Sequence, residues 1–273
     1  MDTQTTSQKR KKDQFVALCA DSAQDAERLL PVVRQLADKL HKGIIIFTCS
    51  PDGDSWVEKL GLPYAAMKSD WPTVVEAMPT AFNVLLAVVM ADPEATRGCS
   101  SHPRQILRNF RQAKIAYMVV GKDDICVATV KTGFDTVALT LNHQRESKEK
   151  LLWASYFARF CQSNIAVYHH PYNDPAFQKR LRDNIRYMDK IFASLNITYQ
   201  LHPLPKSNQF TDPDPKAVVI PGVDLFIALV SDARDRDFLD LISPPPPLRL
   251  LRHAPKIPIL FLNQRDDLYI MCD

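Results

Sequence analysis

The chain has 273 residues, 46% of them hydrophobic and 24% charged, enough apolar material for the core of a globular protein of one large domain or two. Its formal charge of +3 is too mild for the concentrated basic face that binding a phosphate backbone needs, so no nucleic acid partner is expected. No run approaches the length of a membrane span and no hydrophobic segment follows the basic opening residues, which argues against membrane insertion and secretion.

In chain order, residues 1–13 carry the cluster Lys9-Arg10-Lys11-Lys12 and are read as a flexible basic tail. FVALC then reads as a strand. Leu29, Val33, Leu36 and Leu40 recur at three and four residues and predict a helix. Ile44 to Cys49 is short, β-branched and without alternation, as befits a parallel strand buried on both faces. A shorter helix-and-strand passage is expected around Trp56 to Met67, and Phe82 to Met90 is an apolar strand that ends in Ala91-Asp92. FRQAKIAYMVVG, residues 110–121, reads as a helix end feeding a last strand. Residues 122–133 form a connector in which Ile125 to Val130 suggests an extra strand.

The pattern then starts again. Residues 15–47 lie without gaps on residues 136–168: Val16, Ala17 and Leu18 meet Val137, Ala138 and Leu139, Leu30 meets Leu151, and Ile44 meets Ile165. The second helix is marked by Leu151, Ala154, Phe157, Ala158 and Cys161, and its strand by Ile165 to His169. Phe177, Leu181, Ile185, Met188, Phe192 and Leu195 fall on one face of a long helix, with Lys179-Arg180 on its polar side and a strand from Ile197 to Leu201 after it. Pro203 to Pro215 is read as a surface loop or a partly disordered excursion, Val223 to Val230 as the fourth strand, and the prolines at 244–247 as a rigid polyproline II connector or a docking motif. LRHAPKIPILFLN, 251–263, repeats 110–121 with one inserted residue, and the tail 264–273 holds an apolar run from Leu268 to Met271.

Alternating strands and helices with buried strands imply doubly wound parallel sheets. Two passages go further. VALCADSAQDAERLL resembles the start of the universal stress proteins, where a strand ends in an acidic residue followed by a small-residue turn and a helix. LLRHAPKIPILFLN resembles that family's closing helix, turn and strand. The resemblance covers two copies, 14–121 and 134–263, and implies two tandem α/β domains of the adenine nucleotide alpha hydrolase-like, universal stress protein fold.

In nucleotide-binding members the acid after the first strand helps hold the nucleoside. A glycine pair after the fourth strand, then a Gly-Ser or Gly-Thr, holds the phosphates through backbone amides that a Cβ would obstruct. Here the seven glycines, Gly43, Gly53, Gly61, Gly98, Gly121, Gly133 and Gly222, form no such loop. In the second copy Asn142 replaces the acid, and SDARDRDFLDLISPPPP brings Asp232, Asp235, Asp237 and prolines without N–H groups where amide donors are wanted. The first copy keeps Asp21, with Gly98, Ser100 and Ser101 near a helix start. These four are the candidate site for ATP or AMP. Their bland alternative is that Ser101 caps the helix that Pro103 opens, and Asp21 the helix after it.

No catalytic residue is nominated: there is no GxSxG elbow or HIGH-like signature, and no HExxH or other paired histidine spacing for a metal. His169-His170 marks a strand end. The six cysteines contain no CxxC pair, so buried or incidental thiols in a reducing cytoplasm are expected. Trp56, Trp71 and Trp153 suit packing, with Trp71-Pro72 placed to rim a cleft. The expectation is a cytoplasmic, non-enzymatic stress-associated protein without a resident cofactor. Its two domains pair through their last strands as an intramolecular pseudo-dimer, with homodimerisation as a further option. The rivals are a nucleotide sensor or weak ATPase working through the first copy, and a protein-interaction scaffold.

Overall fold

The computed structural model describes residues 14–67, 69–122, 133–144, 147–169, 171–204, 222–230, 246–252 and 257–263. The basic tail, the connector strand at 125–130, most of the 203–215 loop, the acidic stretch 232–237, His170 and the C-terminal tail lie outside the described residues.

The strands are β1 (Phe15–Cys19), β2 (Gly43–Thr48), β3 (Tyr64–Ala66), β4 (Val84–Ala91), β5 (Ala116–Gly121), β6 (Thr136–Leu141), β7 (Asn164–His169), β8 (Tyr199–Pro203), β9 (Leu225–Val230) and β10 (Ile259–Asn263). The helices are α1 (Ala23–Leu40), α2 (Gly53–Val57), α3 (Trp71–Ala81), α4 (Pro103–Asn109), α5 (Ser147–Cys161), α6 (Pro175–Ser194) and α7 (Pro246–Arg252). Among the described residues the strands form one ten-stranded sheet in the order β3-β2-β1-β4-β5-β10-β9-β6-β7-β8. Each half contributes a parallel block with the same internal order, and the blocks meet antiparallel at β5 and β10, where Leu260 faces Met118 and Phe261 faces Tyr117.

Both faces are covered, which is why the strands read as unbroken apolar runs. One face packs Val16, Leu18, Val137 and Leu139 under α1, α5 and α6. The other packs Ala17, Phe47, Phe226 and Phe261 under α3, α4 and α7. The join carries its own ring stack, with Tyr117 between Phe110 and Phe261 at centroid distances of 4.8 and 5.4 Å. Asn263, at the end of β10, donates through Nδ2 to the carbonyls of Phe110 (2.7 Å) and Ala113 (2.9 Å) beyond α4, tying the second half to the first.

Three sequence expectations shift. The strand after α6 begins at Tyr199 rather than Ile197: Asn196 takes a left-handed turn (φ 53°), and the Ile197 N–H is spent on the Phe192 carbonyl that ends the helix. Pro246 and Pro247 open α7 instead of extending as polyproline II, since a proline's fixed φ and missing N–H cost nothing in the first helical turn. Ser101 and Asp21 are not caps. Ser22 caps α1, accepting from the Asp25 N–H at 3.1 Å, and His102 caps α4, its Nδ1 accepting from the Arg104 N–H at 3.2 Å.

Candidate functional site

The carboxyl ends of the first-half strands converge on a cleft of about 340 Å³, counting the solvent at its mouth, where a doubly wound sheet leaves a crevice. Asp21 stands just past β1, Cys49 just past β2, Trp71 at the first position of α3, and Met90 near the end of β4. Asp21, Ser100 and Ser101 all line this cleft, with Trp71, Asn109 and Phe110 beside them. Gly98 is not among its walls. It takes a φ of +108°, a left-handed turn conformation that favours glycine.

Asp21 is the best-held group of the site. The Cys49 N–H donates to its Oδ1 at 3.0 Å and the Trp71 Nε1–H to its Oδ2 at 2.8 Å. Trp71 is delivered there by a local device: Asp70 caps α3 by accepting from the Thr73 N–H at 3.1 Å, and Pro72 follows in the first turn. The indole is only 8% exposed. The Thr73 hydrogen bonds in turn hold the Asp70 carboxyl below its usual range. The thiols nearby are pushed the other way. Burial first, then the Asp21 charge, raises Cys19 well above the ordinary thiol range and Cys49 to about 12. Both stay protonated and unreactive near neutrality.

The segment after β4, where the resemblance implies phosphate-binding amides, spends five of its amide donors on itself. The Asp92 N–H goes to the Ser101 carbonyl (2.9 Å), Glu94 to Asp92 Oδ1 (3.0 Å), Ala95 to the Asp92 carbonyl (3.1 Å), Cys99 to Thr96 (3.0 Å) and His102 to Cys99 (3.0 Å). The Ser101 hydroxyl lies 3.2 Å from the Cys99 thiol. Asp92 also brings a carboxylate to the end of β4, paired with the Lys122 ammonium at 2.5 Å. Burial alone would raise Asp92, but the hydrogen bonds from Lys122 and from the Glu94 and Ala95 amides leave it below the usual carboxylate range.

In the second half, Asn142 folds onto its own turn: its Nδ2 donates to Gln144 Oε1 and its Oδ1 accepts from the Gln144 N–H, both at 2.9 Å. Asn184 of α6 locks that turn by donating to the carbonyls of Asn142 (2.8 Å) and Gln144 (2.9 Å). His143 stacks on Phe177 at 4.1 Å. The fully buried Lys150 donates to Thr140 Oγ1 at 3.2 Å. Among the described residues no group of three or more His, Cys, Asp or Glu gathers as a metal site, and no helix is long and apolar enough to cross a membrane.

Sequence reasoning placed Trp71 at a cleft rim but missed its bond to Asp21, and it missed Asn109 and Phe110 altogether. Partners 50 residues apart leave no local signal. The Asp70-Trp71-Pro72 run, an N-cap followed by proline, was the one available clue to where the indole sits.

No protein-family model matches the chain, and no curated protein sequence does. Solved structures do. A universal stress protein from Archaeoglobus fulgidus superimposes with a TM-score of 0.62 at 12% identity, covering 93% of this chain and 97% of its own. A Pseudomonas aeruginosa protein described as a universal stress protein gives 0.59 at 12% identity, covering 94% of each chain. The two parallel blocks and these whole-length superpositions give the chain the universal stress protein fold, in tandem within one polypeptide.

Proposed function

We propose that this is a non-enzymatic, cytoplasmic stress-associated protein of the tandem universal stress type, in which neither crevice is built to hold a nucleoside triphosphate. The observation that carries the reading is the closure of the Asp21 carboxylate by the Cys49 amide and the Trp71 indole, which leaves both its oxygens engaged within the protein. The partly self-bonded segment from Asp92 to His102 supports it, because the amides of Asp92, Ala95, Cys99 and His102 are already committed to carbonyls and that of Glu94 to the Asp92 carboxylate. The second crevice supports it too, with a neutral Asn142 in the acid's place. The join of β5 and β10 then stands in one chain for the pairing of two separate subunits.

Thermal unfolding with ATP, ADP or AMP and magnesium tests the proposal, together with chromatography of any nucleotide released from the purified protein. The expected result is an unchanged midpoint and no nucleotide. A ligand at a hundredfold excess over its Kd would add about 2.7 kcal/mol to the folded state, an easily measured shift.

A second reading, a nucleotide sensor working through the first half, draws on the convergence of Asp21, Ser100 and Ser101 on one cleft. It prevails if ATP or AMP raises the midpoint and Asp21→Ala removes the effect.

A further inference from the structure

The fold turns one face of α6 directly away from the sheet. Leu181, Asn184, Met188 and Phe192 are buried on the opposite side, and Lys179, Arg182, Arg186 and Lys190 are exposed. At 100° per residue these four cations lie in one line along the outward pole, rising about 4.5, 6 and 6 Å between neighbours. Arg186 is 74% exposed. Of the helix's two acids beyond its cap, Asp189 is turned to the Tyr199 hydroxyl, and only Asp183 shares the outward face, 3.5 Å from Arg186. Tyr187 flanks the line, 37% exposed, with the Lys148 ammonium 4.6 Å above its ring.

A row of evenly spaced cations spanning about three helical turns is too long for a single phosphate and fits a linear polyanion. The flank decides which one. A membrane-binding helix would surround its cations with large apolar side chains, and the outward pole has only Ala176 and Ala193 beside Tyr187. An aromatic ring beside a cation row is the arrangement that stacks a base while neighbouring cations hold the phosphates. We propose that the outward face of α6 binds the phosphodiester backbone of single-stranded nucleic acid, with Lys179, Arg182, Arg186 and Lys190 on the phosphates and Tyr187 against a base. The surface is independent of the first-half cleft.

The test is fluorescence anisotropy of the full chain with a labelled single-stranded 16-mer of uridine, at salt between about 50 and 200 mM. Four phosphate contacts give a log–log salt slope of about −2.8, a weakening of about 50-fold over that range. Arg182→Ala with Arg186→Ala is expected to halve the slope and cut affinity at least about tenfold at low salt, with the thermal midpoint unchanged because both side chains are in solvent. Lys42→Ala with Lys114→Ala, far from α6, should leave binding intact. Absence of binding at 50 mM salt overturns the proposal, as does binding that the α6 pair does not alter. Equal affinity for poly-glutamate or for phosphatidylserine vesicles also overturns it, assigning the face to an acidic protein or to a membrane.

Discussion

The indole nitrogen of Trp71 lies 2.8 Å from Oδ2 of Asp21, so one carboxylate gathers the ends of β1 and β2 and the start of α3 into a single knot. In a site kept ready for a ligand, such an acid would be a liability to the empty protein. Here it is already satisfied.

The first prediction follows from that satisfaction. Asp21→Ala strips the partner from two part-buried donors and is expected to cost about 1–3 kcal/mol, while Trp71→Phe, which keeps most of the ring, should cost less. Residues retained for binding usually leave stability unchanged or raise it when replaced. Urea unfolding separates the two cases: a neutral or stabilising Asp21→Ala would contradict a structural role.

Asn263 provides the second. Its two bonds to the Phe110 and Ala113 carbonyls cross from β10 to the end of α4, and Asn263→Ala leaves both acceptors without that donor. A loss of about 1–3 kcal/mol is expected, with amide exchange quickening in β5 and β10 before β1 or β7. Asn263→Asp should be worse, because it sets a carboxylate against carbonyl oxygens. Uniform quickening across the sheet would show that the tie is not local to the join.

The third concerns alkaline stability. Burial and then Asp21 push Cys49 up to about 12, burial raises Cys161 to about 11, and the hydrogen bond to Asp189, ahead of burial, raises Tyr199 to about 12. Burial also carries Cys19 and Tyr117 upward. Thiols and phenols in the unfolded chain release protons near about 8.5 and 10, so above those values the folded state holds more protons than the unfolded one. Stability is therefore complete below about pH 8 and falls as pH climbs toward the raised folded values. Denaturant midpoints between about pH 7 and 11 should trace that fall, and a flat profile would refute it.

Much of the architecture was legible because buried parallel strands and amphipathic helices write themselves into local pattern. Val16 to Leu18 and Val137 to Leu139 announced matching strands, and Leu29, Val33, Leu36 and Leu40 announced a helix. Capping was misread by one residue because the first polar group was otherwise employed: Asp21 is drawn sideways to Cys49 and Trp71, so Ser22 caps α1. The cation row on α6 was hidden for a different reason. Net charge averages over the whole chain, and only the helical twist brings Arg182, Arg186 and Lys190 into line with Lys179. The Trp71–Asp21 bond had no local trace, being a product of which loops the sheet order makes neighbours.

At the centre of the join Met118 faces Leu260, and the matched repeat makes Gly121 the counterpart of Asn263. Glycine has no side chain to return the bond that Asn263 makes. In a dimer of identical subunits every contact between non-equivalent residues across the axis occurs twice or not at all, and each mutation is tried in both places at once. A covalent pair escapes that rule: its halves meet without depending on protein concentration, and natural selection can test one shoulder of the junction while the other stays as it was.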